Sequence, residues 1–310
     1  MSQVEHLLKM DPMNEENNIF KNYFLLMKPE LTLLSVFTSL CSAFLAVETN
    51  SDVSIMTFVL LGIGTFLVGG GSGALNQFFE RSYDAVMNRT KHRPIPSGKI
   101  QPSFAQLFGL IASSTGFSVL FSINLLTGIL SVLTSLSYLF LYTPLKRIST
   151  SSTVIGAIPG ALPILIGWAS VQNEISIKAL TLFGVLFYWQ APHFYSLAWM
   201  YKEDYAKAGF RFLTIVDTTG KRVAGFIIAN LSALLILSIL PLIIDKSSAV
   251  IFVLVITVGT GFLLKGFQFF QSISGSTKTD SKIAARNLFF VSLVYIPLYF
   301  SLLVAEKIFK

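Results

Sequence analysis

Three oxygen-bearing side chains, Asn76, Glu80 and Asp84, follow one another at intervals of four. On a helix that spacing stacks them along one face, with about 40° of drift per step. Hard oxygen donors on one stripe suit a divalent cation such as Mg2+, which keeps several waters and shares its shell with substrate phosphates. Arg81, Arg89, Lys91 and Arg93 follow directly, and guanidinium groups grip phosphate oxygens in a bidentate fork. Carboxylates for a metal beside cations for phosphate are what handling a diphosphate requires. The run Arg93-Pro94-Ile95-Pro96-Ser97-Gly98 then ends the helix, since proline has no amide donor and crowds the preceding turn. Basic residues alone would only orient a membrane protein, but that role does not account for Glu80 and Asp84.

A second polar set closes a later apolar stretch, between Trp189 and Arg211. Glu203 and Asp204 supply acids there, and Lys202, Lys207 and Arg211 supply cations. His193 and Asp204 fall near one helical face, about three turns apart. Three roles are open to His193: iron ligand, base, or partner of a neighbouring carbonyl. A third, smaller set is Tyr142-Thr143-Pro144-Leu145-Lys146-Arg147. Its cations either bind a phosphate or only orient the chain.

The elements that must position these groups are membrane spans. Of 310 residues, 53% are apolar and only 13% charged, and the mean hydropathy is +0.67. Soluble domains carry about 25% charge, which excludes a water-soluble enzyme. The single Cys41 excludes an internal disulfide and a multi-cysteine metal site. Nine apolar stretches, each near the ~20 residues needed to cross a bilayer, are expected at 24–46, 54–77, 104–122, 124–142, 153–171, 178–199, 222–244, 248–270 and 287–305. A tight helical hairpin is expected near Asn124, and the absence of period-2 alternation leaves helices as the spanning structure. The expected fold class is therefore all-α, a polytopic membrane bundle.

Lys and Arg divide nineteen to four between the N-terminal tail with the even-numbered links and the opposite side. That asymmetry places the N-terminus in the cytoplasm and accounts for most of the net charge of +7, so nucleic acid is not an expected partner. Residues 1–22 read as a flexible cytoplasmic tail, and 23–306 as a single transmembrane domain with long cytoplasmic loops at about 78–103 and 200–221. Without a signal or transit-peptide composition near the start, a bacterial inner membrane is the expected location.

Taken together, the three sets resemble the UbiA superfamily of intramembrane prenyltransferases, and within it the haem O synthase branch. The resemblance runs from about Tyr23 to Val304. It rests on Asn76-Gln77-x-x-Glu80-Arg81-x-x-Asp84-x-x-Met87-x-Arg89-Thr90, on Tyr142-Thr143-Pro144-Leu145-Lys146-Arg147, and on Pro192-His193-Phe194 followed by Lys202-Glu203-Asp204-Tyr205-x-x-Ala208-Gly209. The superfamily's first motif is Asn-x-x-x-Asp-x-x-x-Asp, in which Glu80 replaces the middle Asp. Its second is an Asp pair four apart, of which only Asp204 remains, with Met200 at the other position. Tyr142 and Lys146 match its Tyr-x-x-x-Lys element. The resemblance implies Mg2+ held by Asn76, Glu80, Asp84 and Asp204, with Tyr142 and Lys146 completing the catalytic set. Arg81, Arg89, Arg93, Lys202 and Glu203 would serve the substrate, with His193 the haem candidate. It also implies farnesyl diphosphate and haem B as substrates, with haem A synthase or a terminal oxidase as candidate assembly partners. The competing expectations are a prenyltransferase of an aromatic acid or quinone precursor, and a secondary transporter.

Overall fold

The computed structural model describes residues 18–48, 52–275 and 279–310, and every regular element within them is helical. Backbone amides and carbonyls in hydrocarbon must find partners within their own segment, which long apolar helices achieve. The helices are α1 (Ile19–Leu26), α2 (Pro29–Ala46), α3 (Ile55–Asp84), α4 (Pro102–Ile123), α5 (Leu125–Leu136), α6 (Thr143–Ile148), α7 (Ser152–Gln172), α8 (Ile177–Met200), α9 (Lys202–Lys207), α10 (Leu213–Val216), α11 (Lys221–Ile244), α12 (Ala249–Ile273) and α13 (Ser281–Phe309). A π-helical turn, Ser137–Tyr142, joins α5 to α6.

Eight of these segments among the described residues are long and apolar enough to cross a membrane: α2, α3, α4, the unit Leu125–Ile148, α7, α11, α12 and α13. The protein is an integral, multi-pass membrane protein. The ninth expected span is α8, 24 residues long. It falls short of the apolarity of the others because Gln190, Pro192 and His193 interrupt it.

Three boundaries differ from the sequence expectation. The first span divides at Met27–Lys28, where Lys28 takes a left-handed φ of 49° and Pro29 starts α2; proline at the first helical position needs no amide donor but constrains the residue before it. Of the expected 1–22 tail, residues 1–17 lie outside the described residues, and 19–22 already belong to α1. The helix carrying the expected span 54–77 continues through the stripe, but it ends at Asp84, ahead of the Arg93-Pro94 run expected to stop it. At 30 residues it is about 45 Å long, against a hydrocarbon core of ~30 Å, so its last turns can carry charge.

Small residues let the helices approach. A Cβ on Gly71 of α3 would stand 2.7 Å from the Gly109 carbonyl oxygen of α4, so only glycine fits that crossing. Asn124 makes the expected hairpin: its Oδ1 accepts from the Thr127 amide (2.8 Å) and its Nδ2 donates to the Ala169 carbonyl (2.7 Å). α7 packs on α2, α5 and α8; α8 packs on α11 and α13; and α13 meets α2. Asn88 and Arg89 in the loop after α3 hydrogen-bond Asp204 of α9, so the polar end of α3 and α9 stand at the same end of the bundle.

Candidate active site

Asn76, Glu80 and Asp84 point into the bundle and are buried, at 0, 7 and 1% exposure. Each oxygen stripe position has its own cation. Lys28 Nζ donates to Asn76 Oδ1 at 2.5 Å, Lys146 Nζ to both Glu80 oxygens at 2.8 and 3.0 Å, and Arg93 to both Asp84 oxygens at 2.9 and 2.7 Å. The register makes this possible: with four residues per step the three acceptors share one face of α3, and three separate segments bring a cation to that face.

The walls of the site are polar at one depth and aromatic just below. Asn76 Nδ2 donates to Thr143 Oγ1 (3.0 Å), which in turn donates to the Tyr138 carbonyl (2.9 Å). Lys28 also reaches the Tyr138 hydroxyl at 3.3 Å. Lys146 Nζ lies 4.5 Å from the centroid of the Tyr142 ring, and the Tyr138 and Tyr142 rings stack at 5.7 Å. The π-helical turn carries both rings, and its wider winding turns Tyr138, Tyr142 and Lys146 toward one region; such turns recur at functional positions.

Asp204 joins the first set indirectly. Its Oδ1 accepts from Asn88 Nδ2 and its Oδ2 from the Arg89 amide, both at 3.2 Å, so it ties α9 to the loop that follows Asp84. Four further expected residues lie at the rim. Arg81 is exposed, donates to the Phe78 carbonyl at 2.7 Å and lies over the Phe78 ring; one residue past Glu80, it is rotated about 100° off the stripe. Arg89 donates to the Tyr205 hydroxyl at 2.9 Å and lies 5.5 Å from the Tyr201 and Tyr205 rings. Lys202 lies over Trp199. Glu203 is exposed and pairs with Lys282 at the start of α13, 3.2 Å away. His193 is within the bundle between α8 and α13, with Nδ1 2.8 Å from Ser292 Oγ.

Lys28 and Tyr138 are functional candidates that motif reading passed over. Lys28 counted only as one more basic residue near a span, yet the Lys-Pro step before an apolar run marks a chain break that can turn a lysine inward. Tyr138 sits four residues before Tyr142, on the same helical face. Among the described residues no three His, Cys, Asp or Glu side chains form a metal-holding cluster. The donor chemistry still fits Mg2+: the stripe offers hard oxygens on one buried face, and this ion draws the rest of its shell from water and phosphate rather than from a complete protein cage.

Helical bundle and site define the class first: a multi-pass membrane protein that gathers carboxylates and cations at one mouth of an apolar core. Residues 35–294 match the UbiA prenyltransferase family, and the chain belongs to that family. A relative from Opitutus terrae described as protoheme IX farnesyltransferase is 39% identical over 94% of this chain and 97% of its own length. Others with the same description, at 31–37% identity, come from further bacteria. The fold matches a digeranylgeranylglyceryl phosphate synthase structure with a TM-score of 0.75 at 19% identity, covering 96% of this chain and 100% of that one. It also matches a UbiA homologue from Archaeoglobus fulgidus bound to GPP and Mg2+, with a TM-score of 0.64 at 13% identity over 91% and 99% of the two chains.

Proposed function

We propose that this chain transfers the farnesyl group of farnesyl diphosphate to a vinyl group of haem B, with addition of water, giving haem O and diphosphate. The observation that carries the reading is the buried Asn76–Glu80–Asp84 stripe, faced by Lys28, Lys146 and Arg93. The acceptor is assigned from the protoheme IX farnesyltransferase relatives.

Asn76, Glu80 and Asp84, joined by Asp204, would hold Mg2+ here. Bound there, the ion supplies positive charge against the leaving diphosphate. Lys146 is already buried beside Glu80 and Arg93 half-buried beside Asp84, so substrate oxygens can take over the Lys146 hydrogen bonds without a large loss of hydration. As the allylic C–O bond breaks, its electron pair leaves with the diphosphate, and preorganised cations stabilise that charge where it develops. The Tyr138 and Tyr142 faces, beneath Lys146, exclude water from the allylic carbon and attract its positive charge. The vinyl π pair then forms the new C–C bond, and water captures the resulting cation, releasing a proton. His193 serves the haem side of the reaction.

In this reading the α3 mouth faces the cytoplasm of a bacterial inner membrane, in keeping with the excess of Lys and Arg on that side. Both substrates carry anionic heads on apolar bodies, which suits a site at the edge of the hydrocarbon. A downstream haem A synthase or oxidase assembly would receive the product. Mass spectrometry of haems from cells expressing the chain tests the proposal. Haem O should accumulate with the chain and disappear with Asp84→Ala; haem B alone in both would overturn it.

A further inference from the structure

Ser292, on α13, stands between the His193 ring and a carbonyl of its own helix. The Ser292 hydroxyl donates to the Phe289 carbonyl at 2.5 Å, so its hydrogen is committed within its own helix. With the hydroxyl donating there, the same oxygen faces His193 Nδ1 at 2.8 Å as an acceptor, an arrangement in which Nδ1 is the donor. A neutral imidazole protonated at Nδ1 leaves its lone pair on Nε2. Among the described residues no protein group hydrogen-bonds Nε2.

The surroundings hold the ring as well as its proton. His193 stacks on the Trp189 indole and on the Phe289 ring, each at 4.8 Å between centroids and within 28° of parallel. The Trp189 indole N–H donates to the Ser292 carbonyl at 2.8 Å, which clamps α8 to α13 at this level. Ser292 is fully buried and His193 keeps 7% of its surface accessible. His193 stands seven residues, about 10 Å, from the end of α8, below the polar mouth. A purely structural contact between two helices would need one hydrogen bond; here two rings and a relayed proton set the plane and tautomer of one imidazole. Histidines that ligate metals are held in this way, by donating the other ring N–H to a fixed acceptor.

We infer that Ser292 is a positioning residue that locks His193 in the Nδ1–H form, so that Nε2 ligates the iron of the haem substrate. The inference rests on the haem-acceptor reading above. It is tested by titrating the purified full-length protein in nanodiscs with ferric haem B, without farnesyl diphosphate, while recording the absorption spectrum. The expected result is saturable binding with a histidine-ligated spectrum. His193→Ala should lose that spectrum and regain it with added imidazole. Ser292→Ala should raise the haem Kd by about 10–100-fold with farnesyl diphosphate binding unchanged, and Ser292→Thr, which keeps the hydroxyl, should restore it. Retained farnesyl diphosphate binding shows that each variant is folded. An unaltered spectrum in His193→Ala, or an unaltered haem Kd in Ser292→Ala, would overturn the inference while haem O production by the wild type kept the broader reading intact. Absence of both haem binding and haem O from the wild type would overturn the two together.

Discussion

The two polar segments at the mouth of the bundle, the end of α3 and the stretch after α8, carry similar residue types but treat them in opposite ways. At α3 the carboxylates of Glu80 and Asp84 are buried and each is held by two contacts from a single cation. After α8, Glu203 is exposed, and its pair with Lys282 stands in solvent; Asp204 makes only hydrogen bonds to the neighbouring loop. The difference lies in depth. Charges withdrawn from water interact strongly and cost much to leave unpaired, whereas exposed pairs contribute ~0–1 kcal/mol. The α3 side therefore holds its charges buried and paired, and the α9 side meets it only through the Asp204 hydrogen bonds to Asn88 and Arg89.

That contrast can be broken by substitution. Glu80→Ala and Asp84→Ala should each lower haem O formation by at least about 10²-fold, measured as product per amount of inserted protein; activity within a few-fold of wild type would dissolve the distinction between the segments. Removing divalent metal with EDTA should abolish transfer by the purified protein and excess Mg2+ restore it; transfer that persists in EDTA would remove the metal from the stripe. Lys146→Met removes the one cation hydrogen-bonded to Glu80, and should cost about 3–5 kcal/mol of stability in a denaturation assay. Adding Glu80→Gln to it should recover most of that loss without recovering activity, separating the structural share of the pair from its chemical share. Asp204→Asn keeps an acceptor for Asn88 but removes a charge, and should raise the Mg2+ concentration needed for half-maximal rate by about tenfold. Glu203→Ala should change stability by less than about 0.5 kcal/mol and leave the rate within twofold. A large loss there would show that the rim, too, handles substrate.

The helices and the acidic stripe were legible because they depend on local properties: length and apolarity for a span, a period of four for a face. Boundaries were less so. The average hydropathy of 24–46 masks the polar step Lys28-Pro29-Glu30, and the break follows from Pro29 acting on Lys28. Likewise Arg81 and Arg93 look alike in the sequence, yet Arg93 returns to Asp84 through the turns of residues 85–92 while Arg81 faces outward from α3.

By itself, then, the sequence determined a membrane bundle, its polar ends, the oxygen stripe and the motifs of a prenyltransferase family. Tertiary structure alone decided the partners. Lys28 meets Asn76 across 48 residues, Lys146 meets Glu80 across 66, and His193 meets Ser292 across 99. Such pairings arise from how helices cross, which small residues such as Gly71 permit and which no local period encodes. The low-dielectric interior then makes each of them matter, because a buried charge or imidazole without its partner has no water to replace it.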